Sequence, residues 1–406
     1  MSEILKPKTP EQLLDAVHWA AAETQSFEVR GLSSKLGFGR PVEASRILDL
    51  SGLAGITAYE PSELYMTALA STSIAEIKAA LRQNNQQMAF EPPDMSVLYG
   101  LGDGGDGGSI GGAIACNLAG PRRVKAGAAR DHFLGFNAVS GRGEVFKSGG
   151  TVVKNVTGFD LSKLLAGSFG TLAVMHRVTF KVMPAAEKTR TVLALGLEDV
   201  QAMKAMAAAL GSSNEVSGAA HLPTNAAAGS GVSYVSGAGG AVTAIRVEGP
   251  GPSVEHRCGA LRDLLEDFGT VEELHSQNSA ALWREIGDAG GFLGDDQIWR
   301  LSVAPMDGAG VAAAILAECE GRVFYDWGGG LVWLSLKASD DTGARVRKAV
   351  ASVGGHATLI RATDDVRAQT PVFEPQPGPL GDLTARVKNS FDPNCVLNPG
   401  RMVEGV

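Results

Sequence analysis

The chain has 406 residues, 44% of them hydrophobic and 20% charged, with a net charge of -8 and a pI near 5.5. This is the balance of a soluble globular protein of two or three domains, and the acidic surplus excludes a partner held by its phosphate backbone, nucleic acid above all. Four cysteines, none close to another, give no disulfide, metal or iron–sulfur spacing and point to a reducing compartment. No metal site is expected, and with no leader-like N-terminus and no run of 18 apolar residues the expectation is a cytoplasmic protein without a transmembrane segment. Glycine is the anomaly: 52 residues, well above the usual ~7%, which predicts many tight turns and close backbone approaches.

In chain order, Thr9-Pro10-Glu11-Gln12 announces a helix, with Thr9 as cap, Pro10 at the first position and Gln12 closing a capping box. Leu13, Leu14, Val17 and Ala21 mark its apolar face, and His18 reads as a surface residue. Strand-like runs follow at 27–29, 46–50, 56–59 and 64–69, then a helix capped by Ser73 and Glu76 with Ile74, Ile77 and Leu81 inward. The order is α+β, without the even alternation of a doubly wound sheet.

Gly102, Gly104 and Gly107 then spell G-x-G-x-x-G. A nicotinamide-dinucleotide fingerprint must end a buried strand and open a helix. Here Glu91-Pro92-Pro93-Asp94 precedes it, and Asp103 and Asp106 would meet the diphosphate. The spacing reads as accidental, and 102–108 as a flexible lead-in. Beyond it, a strand is expected at 178–183, ended by Pro184, then an alanine-rich helix at 202–210 and a small-residue loop at 226–240. Strands at 191–195, 242–247, 298–303, 321–324, 331–336 and 356–360, with helices at 254–268, 309–319 and 341–353, read as two loosely similar α+β passes around an antiparallel sheet. The amphipathic stretch 279–284 reads as a core-facing helix. Four prolines within 371–379 form a connector before a last helix at 380–391.

Chemistry concentrates in four stretches. Arg30-Gly31-Leu32-Ser33-Ser34-Lys35 offers backbone N–H groups, hydroxyls and an ammonium to an anion. Ser109-Ile110-Gly111-Gly112, running on to Cys116-Asn117, lets backbone lie against a ligand. Gly127 to Gly135 contains Arg130-Asp131, and 158–172 contains Gly158, Asp160, Gly167-Ser168 and Gly170-Thr171.

Together these residues resemble the flavin-binding domain of the vanillyl-alcohol-oxidase and p-cresol-methylhydroxylase type. R-G-[GA]-G-[ST]-K is similar to 30–35, G-G-x-x-A-x-N-x-x-G to 111–120, G-x-x-R-D-x-x-L-G to 127–135, and G-[YF]-D-[LV]-x-[KR]-L-x-x-G-S-x-G-x-L to 158–172. Gly120-Pro121-Arg122-Arg123, Asp326-Trp327-Gly328-Gly329, Gly354-Gly355-His356-Ala357-Thr358 and the ending from Phe391 to Arg401 resemble the E-subunit family of bacterial glycolate oxidases. Three glycines usual in the family are replaced, by Leu32, Ser33 and Ala173; at Leu32 and Ser33 a left-handed backbone would cost energy.

The resemblance implies an α+β fold: a p-cresol-methylhydroxylase-type FAD-binding domain of two α+β subdomains (1–184), an antiparallel-sheet α+β cap (185–375) and a C-terminal segment returning to the flavin (376–406). It puts FAD, not covalently attached because the first loop has no histidine, against Gly31, Leu32, Ser33, Ser34, Lys35, Ser109, Ile110, Gly111, Gly112, Cys116, Asn117, Arg130, Asp131, Gly158, Asp160, Gly167, Ser168, Gly170, Thr171, Val174, Asn398 and Arg401. Partners implied are a catalytic flavoprotein subunit and an iron–sulfur subunit, with a small 2-hydroxy acid as substrate and peripheral attachment at the inner membrane through those partners. Candidate base and carboxylate clamps in this chain are His356, Arg300 and Arg361, each with a plain structural alternative. Three readings stay open: an FAD-bearing subunit in glycolate oxidation to glyoxylate, a non-catalytic assembly subunit of the same complex, and a free-standing flavin oxidase of a sugar or alcohol.

Overall fold

The computed structural model describes residues 3–101, 107–152, 158–292, 294 and 296–404. They fall into two compact units, the first built from 1–119, 127–185 and 364–406 and the second from 120–126 and 186–363. Among the described residues no helix is long and apolar enough to cross a membrane.

The first unit opens with the helix Pro10–Ala22, where Thr9 Oγ1 accepts from the Gln12 N–H at 3.3 Å. Gln12 does not return that bond: its Oε1 accepts from the Lys8 N–H at 2.8 Å, one residue outside the cap. The helix buries Leu13, Val17 and Ala20 against two sheets. One is parallel, in the order Glu3–Leu5, Arg46–Asp49, Phe27–Arg30; the other is antiparallel, in the order Ile56–Glu60, Tyr65–Leu69, Ala173–Lys181, Phe133–Ser140, Val145–Gly149. Phe27 and Leu48 of the first and Val139 and Val174 of the second share one core with Val396 and Leu397, each such aliphatic side chain contributing about 1.5–3 kcal/mol. The strand expected at 178–183 is therefore longer and earlier. It stops at Lys181, and Pro184 does not end it but pairs, with Met183, against Gln86–Gln87.

After the helix Pro379–Phe391 the chain turns back into this core around a buried ion pair. Lys388 Nζ donates to Asp392 Oδ2 (2.7 Å), the Thr171 carbonyl (2.7 Å) and the Leu397 carbonyl (3.1 Å). Asp392 in turn accepts from the N–H groups of Val396 and Leu397, both at 2.8 Å.

The second unit is one eight-stranded antiparallel sheet, in the order Thr270–His275, Lys188–Leu195, Val242–Gly249, Gly218–Leu222, Gly321–Asp326, Leu331–Leu336, Gln297–Ser302, His356–Arg361. Two of its strands escape sequence periodicity, because Gly218–Leu222 is Gly-Ala-Ala-His-Leu and Thr270–His275 carries two adjacent glutamates. The stretch 226–240 is not a loop throughout. It holds parts of the short helices Thr224–Ala228 and Ser233–Ser236, fixed by buried Ala227 and Val235. Residues three apart on a strand face opposite ways. His221 meets Asp199 of the helix Asp199–Gly211 at 3.3 Å, whereas Gly218 lies under Trp283 of the helix Ser276–Gly287. The two helices thus cover opposite faces.

Two of the four E-subunit-like motifs interlock here. Trp327 Nε1 donates to the Gly120 carbonyl at 3.1 Å and the Arg123 guanidinium lies 4.8 Å from the Trp327 ring centroid. Arg122 forms two bonds of 2.9 Å to the Glu248 carboxylate. Burial alone would raise the Glu248 pKa, but Arg246 and Arg122 outweigh it and hold the carboxyl at about 2. Gly329 is required by its φ of +98 and because a Cβ there would stand 2.6 Å from the Pro305 carbonyl oxygen.

Replacing Lys388 by Met strands a buried carboxylate, and removing one partner of such a pair costs about 3–5 kcal/mol. Urea unfolding followed by circular dichroism is expected to show a loss of that size in Lys388→Met; a midpoint equal to wild type would mean that the tail is held by apolar packing alone.

Candidate functional site

The first loop leaves the strand Phe27–Arg30 against the residues that begin the helix Ile110–Ala115. Gly31 makes this approach possible, since a Cβ there would lie 2.8 Å from Ser109 Oγ. Of the two replaced glycines only Ser33 takes the left-handed backbone, at φ +59; Leu32 does not. The expected strain falls on one residue, at about 1–3 kcal/mol. Ala173 has no positive φ and simply begins its strand.

Ser109 caps its helix by accepting from the Gly112 N–H at 3.3 Å. Gly111 is pressed onto the end of the strand Tyr65–Leu69, where a Cβ would come within 2.7 Å of the Ala70 carbonyl. Gly108, read from sequence as part of a loose lead-in, belongs to this packing instead. Its φ is +73, and a Cβ would stand 2.3 Å from Ser34 Oγ and 2.4 Å from Lys35 Nζ. Residues 102–106, with Gly102, Asp103, Gly104 and Asp106 of the G-x-G-x-x-G stretch, lie outside the described residues.

Between these segments runs a cleft of about 780 Å³. It is lined by Gly31, Leu32, Ser33, Ser34, Lys35, Ser109, Gly111, Gly112, Cys116, Gly170, Val174, Asn398 and Arg401, all expected from sequence, and by Arg30, Ala70, Ser71 and Met175, which were not. Ser71 was legible only as a small residue beside the Ser73 cap. Its Oγ is buried and has no hydrogen-bond partner among the described residues. Lys35 is buried too, and Nζ donates to Ser34 Oγ at 2.9 Å. No carboxylate pairs with it among the described residues. Burial pushes its pKa down, only partly offset by the Cys116 thiolate and Asp94.

Asn398 closes the cleft, its Oδ1 accepting from the Val29 N–H and its Nδ2 donating to the Phe169 carbonyl, both at 2.8 Å. Arg401 donates to the Lys35 carbonyl at 3.3 Å and lies 3.9 Å from Glu28 Oε1. The other expected cofactor residues sit outside the lining. Ile110 is in the core. Asn117 Oδ1 accepts from the Arg130 N–H at 3.0 Å, Gly167 packs on Asn117, and Asp131 Oδ2 accepts from the Ala128 N–H at 2.9 Å. Gly158 is exposed and Asp160 caps the helix Leu161–Leu165. Thr171 Oγ1 donates to the Ser168 carbonyl at 2.7 Å.

His356, Arg300 and Arg361 lie on neighbouring strands of the second unit's sheet, with Arg300 opposite Thr358 and Ser302 opposite His356. His356 is exposed, and Arg361 donates to the Asp296 carbonyl at 3.3 Å. They do not converge on one of the cavities described here.

The cleft fits FAD on grounds of this structure alone: glycines that a Cβ would jam and, among the described residues, a buried hydroxyl without a hydrogen-bond partner and a buried lysine in no ion pair. Residues 2–149 match the FAD binding domain family. The chain resembles p-cresol methylhydroxylase in fold, with a TM-score of 0.72 at 14% identity over 99% of this chain and 88% of that one. Alkyldihydroxyacetonephosphate synthase gives a TM-score of 0.70 at 13% identity over 98% of this chain and 76% of that one. In sequence it is 26% identical to glycolate oxidase subunit GlcD of Bacillus subtilis strain 168, over 47% of this chain and 39% of that protein. It is 33% identical to glycolate oxidase subunit GlcE of Escherichia coli strain K12, over 97% of both chains. With that identity along its whole length, and an α+β fold of the p-cresol-methylhydroxylase type, the chain belongs to the GlcE family of FAD-linked oxidoreductase subunits.

Proposed function

We propose that this chain is an FAD-bearing subunit of a glycolate oxidase, taking part in the oxidation of glycolate to glyoxylate and passing electrons to partner chains. The observation that supports the cofactor seat is the buried Lys35 ammonium, in no ion pair among the described residues and facing Gly108 and Gly112. A diphosphate is the anion such a seat suits, with backbone N–H groups as its other donors. Gly31 to Lys35 and Ser109 to Cys116 would hold it, Gly170 and Val174 would line the ribose and flavin side, and Arg401 would face the flavin edge. Asn398 has both ends of its carboxamide bonded to protein backbone, so its part is to hold the two walls together.

Bound there, FAD supplies a two-electron acceptor for the hydride of a 2-hydroxy acid. The protein's own contribution is positive charge: Lys35 and Arg401 favour negative charge in the cleft, and Arg30 adds a third cation, offset by Glu28 at 2.6 Å. A catalytic flavoprotein subunit and an iron–sulfur subunit are the proposed partners, in the cytoplasm or held through them at the inner membrane. That His356, Arg300 and Arg361 line neither the cleft nor the second unit's pocket favours one second reading, that this chain serves assembly and the partner oxidises substrate.

Three outcomes are expected. Acid precipitation releases FAD to the supernatant, since no histidine stands in the first loop to attach it; yellow colour retained on the washed pellet contradicts this. FAD bound to the wild type weakens as pH rises through the lowered Lys35 pKa, because the diphosphate favours the charged amine that burial disfavours. Lys35→Met binds about 10–100-fold more weakly near neutrality, the worth of a charge-assisted bond, and loses the pH dependence in a fluorescence titration. Anaerobic mixing with glycolate bleaches the flavin band of the assembled complex; bleaching in the isolated chain assigns oxidation to this subunit, and an unbleached complex overturns the glycolate reading.

A further inference from the structure

The second unit holds a pocket partly open to solvent. One wall is set by strand alternation. His221 and Tyr325 are opposite each other and both meet Asp199, so Leu222 and Phe324, one residue along or back, share the other face, and Arg322 stands beside Phe324 at i−2. Leu282 and Ile286 of the helix Ser276–Gly287 and Phe292 close the apolar side.

Two charged groups reach this cavity. Glu285 is occupied: Oε2 accepts from Ser230 Oγ at 2.7 Å and Oε1 from the Gly231 N–H at 3.1 Å, which pins the 230–231 turn as part of the wall. Arg322 is half-buried with its guanidinium 5.6 Å from the Phe292 ring centroid, and among the described residues it has no ion pair or hydrogen bond. A half-buried guanidinium beside an aromatic ring, with its fork of donors unused, suits a carboxylate.

The geometry points to a binding site for a monocarboxylate with an apolar body the size of a branched alkyl or phenyl group. The carboxylate lies on Arg322 and the body against Ile286, Phe292 and Phe324. A two-carbon acid has no apolar body to cover those side chains, so the ligand is larger than glycolate. The assignment does not depend on the glycolate reading, and the two can fail separately: one is read by ligand binding here, the other by bleaching of the flavin.

The test is calorimetric titration of the full chain with 3-phenyllactate and 4-methyl-2-hydroxypentanoate, beside glycolate, phenylalanine and the neutral 3-phenyl-1-propanol. The two bulky acids are expected to bind saturably, about tenfold or more tighter than glycolate or the alcohol. Arg322→Met should weaken them about tenfold or more while sparing the alcohol, with Arg322→Lys in between. Ala226→Phe, which fills the cavity from the helix Thr224–Ala228, should abolish acid binding and leave FAD affinity unchanged. Absence of saturable heat, acids and alcohol binding alike, indifference to Arg322→Met, or phenylalanine binding more tightly than phenyllactate would each overturn the assignment. Should Arg322→Met fail to fold, acid binding that persists in Ala226→Phe overturns it.

Discussion

The cleft of the first unit depends on a charge pair that never touches it. All three protons of the Lys388 ammonium are used, on Asp392, Thr171 and Leu397, and Asp392 collects two backbone N–H groups besides. Taking two charges out of water is costly unless each is satisfied in this way. The same atoms reach the chain before the strand Ala173–Lys181 and turn the tail so that Leu397 bridges Phe27 in parallel register. From there Asn398 and Arg401 are delivered to the cleft within four residues. Gly141 belongs to the same knot, since a Cβ would sit 2.2 Å from Asp392 Oδ1.

Two buried lysines in one unit make the contrast that defines the site. Lys388 has every donor engaged by the protein. Lys35 has the Ser34 hydroxyl and a lowered pKa. The first is architecture complete in itself. The second leaves donors over for the anion proposed above, and the glycines around it keep that space open rather than making the backbone flexible.

Much of this was legible in the sequence. Caps at Thr9 and Ser73 are local signals, and both hydroxyls accept the N–H three residues on, although Gln12 turns to Lys8 instead of closing its box. The order of glycine motifs located most of the cleft. What escaped depends on distant chain: Ser71 matters only because Gly111 is pressed against its neighbour, and Gly108 only because Lys35 folds back on it. Gly218–Leu222 is a strand because of its neighbours on both sides, its own small residues carrying no such preference. Leu32 and Ser33 looked alike in sequence, yet only backbone geometry could assign the left-handed turn to one of them.

The Gly120–Arg123 segment carries a consequence for how such proteins can be recombined. Residues 120–126 belong to the second unit although they interrupt the first, so the polypeptide passes from one unit to the other at 119/120, 126/127, 185/186 and 363/364. The second unit is therefore not a cassette. A chimera that exchanged 186–363 alone would leave Arg122 without Glu248 and Gly120 without Trp327. A graft of either motif therefore has to carry the other with it, as one piece written in two places.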